Sequence, residues 1–134
     1  MSDRLHLRLG SLGDAFDRLD EALAVPPDAP LAVDGTIQRF EFTFELAWKA
    51  MKDALSAEGF EVVSPRAALR GAFRAGWIDD EAAWLQMLDD RNLASHVYRE
   101  EAAAEIYGRV RANAGSLRQA FERLATLATE GRSE

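Results

Sequence analysis

The chain has 134 residues, a formal net charge of −7 at pH 7 and no cysteine. That length suits one buried core, so we treat residues 1–134 as a single domain. The missing cysteines exclude disulfide frameworks, zinc ribbons and thiol catalysis, and the acidic balance argues against non-specific coating of DNA. Charges interrupt every apolar run, so we expect a cytoplasmic protein with no membrane span. With no cysteine and two histidines, we also expect no bound metal and no cofactor.

Apolar residues recur at steps of three and four along most of the sequence, and residue types that favour helix dominate. This pattern predicts a first helix over residues 5–23, which Pro26 ends. It predicts a second helix over residues 33–55, with Gly59 as its C-terminal stop.

Capping residues indicate where the third and fourth helices begin. The Ser64 hydroxyl can accept free backbone N–H groups, and Pro65 fits the first helical position. A third helix therefore starts there and ends at Gly76 after about three turns. Asp79 or Asp80 is expected to cap a fourth helix.

The fifth predicted helix is long, with its inward apolar positions within residues 106–127. Residues 130–134 form a tail that we expect to fray. Short connections between long helices favour antiparallel neighbours, so the sequence predicts an all-α, up-and-down bundle of about five helices.

One stretch gathers the polar residue types that handle phosphates: Arg91, Asn92, Ser95, His96 and Tyr98. Arginine presents a planar fork to phosphate oxygens, and histidine exchanges protons near neutral pH. Metal-free RNA cleavage needs a base, an acid and a cation at the phosphorus, and one chain offers a single histidine here. A nuclease would therefore be a symmetric dimer. The alternative is a solvated arginine beside a packed or capping histidine.

The spacing of this stretch sets a geometric condition. On an ideal helix, Arg91 and His96 would point about 140° apart, because the helix has 3.6 residues per turn. The two side chains can converge on one substrate only if the helix bends or ends near Ala94 and Ser95.

A basic stripe on the predicted third helix comprises Arg66, Arg70 and Arg74. Like charges four residues apart repel by a few tenths of a kcal/mol per pair, so a phosphate backbone or an acidic partner could bind there. The alternative is pairing with acidic residues of a neighbouring helix.

The segment 40–49 is aromatic on more than one face, and Phe42 and Trp48 widen the apolar side of the second helix. Core packing is the favoured interpretation, and any surplus could form a dimer or partner surface. Glu41 and Glu45 share the spacing of a bundle metal site, but no Glu-x-x-His motif accompanies them.

Four blocks resemble those of a known family: IQRFEFTFELAWK from Ile37, SPR from Ser64, AFRAGWIDD from Ala72 and MLDDRNLASHVY from Met87. In this order they make the chain similar to the nucleotidyltransferase substrate-binding-protein-like family of the HEPN superfamily. The resemblance covers residues 4–127. It implies a HEPN-like helical bundle that forms a homodimer and works with a minimal nucleotidyltransferase.

The resemblance also implies two functions. In the first, the chain is a metal-independent endoribonuclease toxin with an Arg-x4-His-x-Tyr site, here Arg91, His96 and Tyr98, and its substrate is RNA. Asn92 and Ser95 would orient that site, and the nucleotidyltransferase antitoxin would silence it by adding AMP to Tyr98. In the second, the chain is a non-catalytic substrate-binding subunit. A plain helical interaction module is a third reading.

Overall fold

A computed structural model of the chain describes residues 3–95 and 99–133, with side chains as far as residue 130 in the last helix. The described residues form helices and contain no strand, which confirms the all-α prediction. The five helices are α1 (Asp3–Ala24), α2 (Ala32–Ala57), α3 (Pro65–Ala75), α4 (Glu81–Ala94) and α5 (Glu100–Ser133).

The helix ends follow the capping chemistry of the sequence. The Ser64 hydroxyl accepts the backbone N–H of Ala67 at 3.2 Å, which satisfies a donor that has no partner inside α3. The Asp80 carboxylate does the same for Ala83 at 3.0 Å at the start of α4. Gly76 ends α3 with a φ of 84°, a left-handed conformation that glycine adopts without strain. Of the two candidate caps, Asp80 is therefore the one used.

The core lies around α2, which contacts each of the other four helices. The ring of Phe44 lies 5.9 Å from that of Phe40 and 6.0 Å from that of Trp84, so aromatic contacts join α2 to α4. Burial of one large apolar side chain stabilises the fold by about 1.5–3 kcal/mol. The largest fully buried side chains are Trp84, Phe40, Phe44, Leu5, Leu12, Leu19, Met51, Leu69, Ile78, Met87, Ile106 and Leu117.

The aromatic segment of α2 is only partly core. Trp48 is buried, in line with the favoured core packing, but Phe42 is 50% exposed and does not pack in the core. The arc of α2 that carries apolar side chains is wider than the arc its neighbours cover. Phe42 therefore belongs to the surface surplus that the sequence analysis left open.

The C-terminal helix continues to Ser133, beyond the last inward positions predicted from the sequence. Fraying of residues 130–134 stays a prediction. Within the described residues, no helical stretch is long and apolar enough to cross a bilayer.

Two of the partly buried ion pairs between helices involve a buried aspartate. The Arg8 guanidinium donates to Asp53 at 3.0 Å and joins α1 to α2. Arg109 of α5 donates from Nε to both Asp90 oxygens at 3.0 Å, and the Asp90 residue is only 1% exposed. The last turn of α4 is thus fixed to α5 immediately before Arg91.

Candidate functional site

The end of α4 meets the geometric condition set by the sequence. The helix ends at Ala94, and the backbone N–H of Ser95 then bonds back to the Leu93 carbonyl. Arg91 therefore lies in the last helical turn, and the chain leaves the helix before position 96. His96 and Tyr98 lie outside the described residues, so their placement and their convergence with Arg91 stay predictions.

Arg91 is held by two side chains and is not a freely solvated cation. Its Nη2 donates to the Glu45 carboxylate at 2.6 Å, and its Nη1 donates to Asn92 Oδ1 at 2.9 Å. The Arg91 side chain is 29% exposed. A guanidinium carries five N–H donors, so these two bonds leave others for the oxygens of an anion.

Glu45 contacts two cations at once. Its second oxygen, Oε1, lies 3.5 Å from the Lys49 ammonium, one turn further along α2. Burial raises the pKa of Glu45, but the hydrogen bond from Arg91 and the charges of Arg91 and Lys49 outweigh it and lower the pKa below its usual value. Glu45 is therefore ionised at neutral pH, and one carboxylate faces two positive side chains.

Glu41, one turn before Glu45, has the opposite tendency. Burial raises its pKa, and the charge of Arg91 offsets that effect only in part. The positive charge of Arg91 therefore acts on Glu41 as well as on Glu45.

Trp48 supplies a buried polar group beside this pair. The residue is 8% exposed, and its indole Nε1 has no hydrogen-bond partner of ordinary geometry within the described residues. Its N–H dipole nevertheless helps to lower the pKa of Glu45.

An open cleft of about 450 Å³ lies between the N-terminal half of α2 and the end of α4. We call it the α2–α4 cleft, and its lining includes Leu31, Gln38, Glu41 and Ala94. The lining also includes Asp34, so the cleft carries two carboxylates, and the charge of Arg91 acts on one of them, Glu41. The cleft offers space for a substrate beside the candidate site.

The other predicted site residues divide into two groups. Asn92 contacts Arg91 directly, whereas Ser95 is exposed and caps the helix end through its backbone. Three further residues, those of the basic stripe, are exposed on α3, and none makes an ion pair within the described part of the chain. They are Arg66, Arg70 and Arg74.

Sequence reasoning missed Glu45 as the partner of Arg91. It treated Glu45 only as a residue with the spacing of a metal ligand, because 46 positions separate it from Arg91. Among the residues whose side chains are described, no group of three or more His, Asp or Glu side chains could hold a metal ion. The observed role of Glu45 is to bind a guanidinium.

The sequence matches a family described as nucleotidyltransferase substrate binding protein like, over residues 7–126. A Haemophilus influenzae relative named Probable ribonuclease HepT is 31% identical, and the match covers 82% of this chain and 85% of that protein. Both comparisons extend over most of the described helices.

Two solved structures share the fold. One, from Haemophilus influenzae, is described as the substrate binding domain of a nucleotidyltransferase. It is 28% identical, with a TM-score of 0.79 over 87% of this chain and 98% of the other. The second is a tri-AMPylated Shewanella oneidensis HEPN toxin in complex with an MNT antitoxin. It is 14% identical, with a TM-score of 0.74 over 94% and 99% of the two chains, and it supports the HEPN-like fold alone.

Proposed function

The chain belongs to the nucleotidyltransferase substrate-binding-protein-like family, and from that premise we propose that it is a homodimeric, metal-independent endoribonuclease paired with a minimal nucleotidyltransferase. The observation that carries the proposal is the position of Arg91 and the two hydrogen bonds that hold its side chain. Arg91 lies in the last turn of α4, oriented by Glu45 and Asn92, where the helix ends just before His96. The relative named as a ribonuclease supports the same reading.

In the proposed reaction, Arg91 binds the non-bridging phosphate oxygens of the RNA and stabilises the charge that develops on them. One His96 accepts the proton of the 2′-hydroxyl, whose oxygen attacks phosphorus. The His96 of a second copy donates a proton to the departing 5′-oxygen as the P–O5′ bond breaks. The products are a 2′,3′-cyclic phosphate and a free 5′-hydroxyl, and no metal ion takes part.

Glu45 acts on this reaction as a positioning residue. Its carboxylate holds Nη2 of Arg91, so the guanidinium is oriented before the substrate arrives. Asn92 holds the other terminal nitrogen. An arginine oriented in this way needs little reorganisation when charge develops at the phosphate, which is how a fixed cation lowers a reaction barrier.

We propose that the partner silences the enzyme at Tyr98. The Tyr98 hydroxyl oxygen attacks the α-phosphorus of ATP, pyrophosphate leaves, and the hydroxyl proton is lost to solvent. The attached phosphodiester brings a negative charge two residues from His96, where it would compete with RNA for Arg91. The Arg-x4-His-x-Tyr pattern of Arg91, His96 and Tyr98 supports this assignment.

A second candidate is a non-catalytic substrate-binding subunit of a nucleotidyltransferase. The Haemophilus influenzae structure described as such a domain favours it. The net charge of −7 also favours it, because an acidic surface repels RNA at long range.

RNA cleavage in the presence of EDTA separates the two candidates. We expect wild-type protein to cleave, and Arg91→Ala and His96→Ala to lose cleavage while circular dichroism shows intact helices. Arg18→Ala, at an exposed arginine of α1, is the matched control and should cleave normally. Cleavage that survives in His96→Ala overturns the proposed mechanism. Absence of cleavage by wild type, with faster nucleotidyl transfer when the partner is added, establishes the second candidate instead.

A further inference from the structure

A second concave surface lies at the other end of α2, between its C-terminal end, α3 and the connecting segment. We call it the α2–α3 groove. It has a volume of about 480 Å³, within the usual range for ligand sites. Leu55, Phe60 and Val62 form much of its apolar wall, and Arg70 and Arg74 lie along its α3 side.

Two glycines shape the groove, one where α3 approaches α2 and one where the chain reverses after α2. Gly71 lets α3 approach α2, because a Cβ at that position would lie 2.7 Å from a Leu55 methyl group. Gly59, with a φ of 91°, reverses the chain after α2, and the Phe60 N–H then donates to the Leu55 carbonyl at 2.9 Å. Phe60 is thereby fixed at the groove while its residue stays 62% exposed.

The arginines beside the groove have no charged partner in the part of the chain that the structure describes. Arg66, Arg70 and Arg74 form one face of α3 with about 6 Å of helix rise between neighbours. None makes an ion pair or side-chain hydrogen bond within the described residues, and the acid that lines the groove is Glu58. By contrast, several arginines elsewhere bind carboxylates: Arg8, Arg91, Arg109, Arg118 and Arg123.

We propose that the α2–α3 groove is an RNA-binding subsite that holds a nucleotide of the substrate strand, and this inference rests on the proposed ribonuclease function. The base packs on Phe60 and the aliphatic wall, and the adjoining phosphates lie along Arg70 and Arg74. A basic groove with an exposed aromatic face is the usual combination for single-stranded nucleic acid. Guanidinium groups match phosphate oxygens in shape as well as in charge.

RNA fits these observations better than an apolar protein segment does. A protein anchor would use the apolar wall but would leave three repelling arginines without a partner. A phosphate backbone removes that repulsion. The subsite also explains how a chain of net charge −7 can hold RNA, because local cations dominate at short range when salt screens distant charges.

The test measures binding of a short, fluorescently labelled single-stranded RNA made of 2′-O-methyl nucleotides, which lacks the attacking hydroxyl. We expect Arg70→Ala/Arg74→Ala to weaken binding about tenfold. The negative slope of log affinity against log salt concentration should become shallower by about 1.4, because two phosphate contacts are lost. The matched control is Arg4→Ala/Arg18→Ala, which removes the same charge from exposed positions of α1. It should leave the slope nearly unchanged.

Phe60→Ala probes the base contact separately from charge. We expect it to weaken binding about tenfold without changing the salt slope, since stacking on an aromatic ring releases no counterions. Because Phe60 is largely exposed, circular dichroism and the thermal midpoint should stay close to wild type.

Several results would overturn the subsite. The first is that the wild-type chain does not bind this RNA. The second is that the groove and control double variants lose the same amount of RNA affinity. The third is that the groove variants bind RNA as tightly as wild type. Groove variants that bind RNA normally but no longer bind the nucleotidyltransferase would make the groove a protein-docking surface instead. Failure of the catalytic proposal is distinguishable, because a chain that binds RNA through the groove yet cleaves none refutes only the cleavage assignment.

Discussion

Replacing Glu45 by glutamine tests whether the negative charge of Glu45, in addition to its hydrogen bond, holds Arg91 in place. Glutamine keeps the length of the side chain and can still accept a hydrogen bond from Nη2, which lies 2.6 Å from Oε2. The substitution removes the negative charge that faces Arg91 and Lys49. It therefore isolates the ionic part of the contact.

The expected loss follows from the partial burial of the pair. The side chains of Glu45 and Arg91 are 31% and 29% exposed, so solvent screens part of their attraction. Exposed ion pairs contribute about 0.2–1 kcal/mol, and hydrogen bonds to charged groups about 1.5–3 kcal/mol. With a weaker hydrogen bond retained, the free energy of unfolding at pH 7 should fall by about 1 kcal/mol. We expect kcat for RNA cleavage to fall about tenfold as the guanidinium loses its orientation.

The pH dependence of this loss separates an ionic contact from a packing defect. Burial raises the pKa of Glu45, but Arg91 and Lys49 lower it by more, so the net shift is downward. Ionisation of Glu45 therefore favours the folded state. That stabilisation is complete above the ordinary carboxyl pKa of 4.5 and is lost as pH falls through the lower folded-state value. The difference in free energy of unfolding between wild type and Glu45→Gln should therefore become smaller at acidic pH.

Urea denaturation from pH 7 to pH 3 measures this difference, and Glu41→Gln is the matched control. Burial raises the pKa of Glu41 more than Arg91 lowers it, so the stability linked to this group is lost as pH rises above 4.5. At pH 7 Glu41→Gln should therefore be no less stable than wild type. A pH-independent loss shared by both variants, or a Glu45→Gln protein as stable as wild type at pH 7, would refute the ionic account.

Two further pairs of substitutions, each with its own control, test the packing of the helices. Arg109→Met leaves the Asp90 carboxylate buried without a partner and should cost about 3 kcal/mol in urea denaturation. Arg123→Met, at an exposed ion pair, should shift the urea midpoint little. Equal losses of stability in the two variants would contradict the argument from burial. Gly71→Ala places a Cβ 2.7 Å from a leucine methyl group, and this overpacking, offset in part by a gain in helix propensity, should lower stability by about 1 kcal/mol. Gly10→Ala, with open space at its Cβ, should raise the thermal midpoint instead, and a lower midpoint would refute the packing reading.

The sequence by itself determined the five helices and those of their ends that carry a cap or a glycine stop. Periodic apolar residues, the caps Ser64 and Asp80, and the stops Gly59 and Gly76 act within a few residues of each other, so local rules suffice to place them. The same rules gave the condition that the fourth helix end near position 94, which the structure meets. His96 and Tyr98 were singled out by motif alone, and their roles stay predictions.

Only the tertiary structure decided which side chains meet. Glu45 and Arg91 are 46 positions apart, and Asp90 and Arg109 are 19 apart on different helices. The exposure of Phe42 likewise depends on how much of α2 its neighbours cover. Periodicity fixes which face of a helix a residue occupies, but helix packing sets what that face touches. Chemistry between distant carboxylates and guanidinium groups is therefore a property of the assembled bundle.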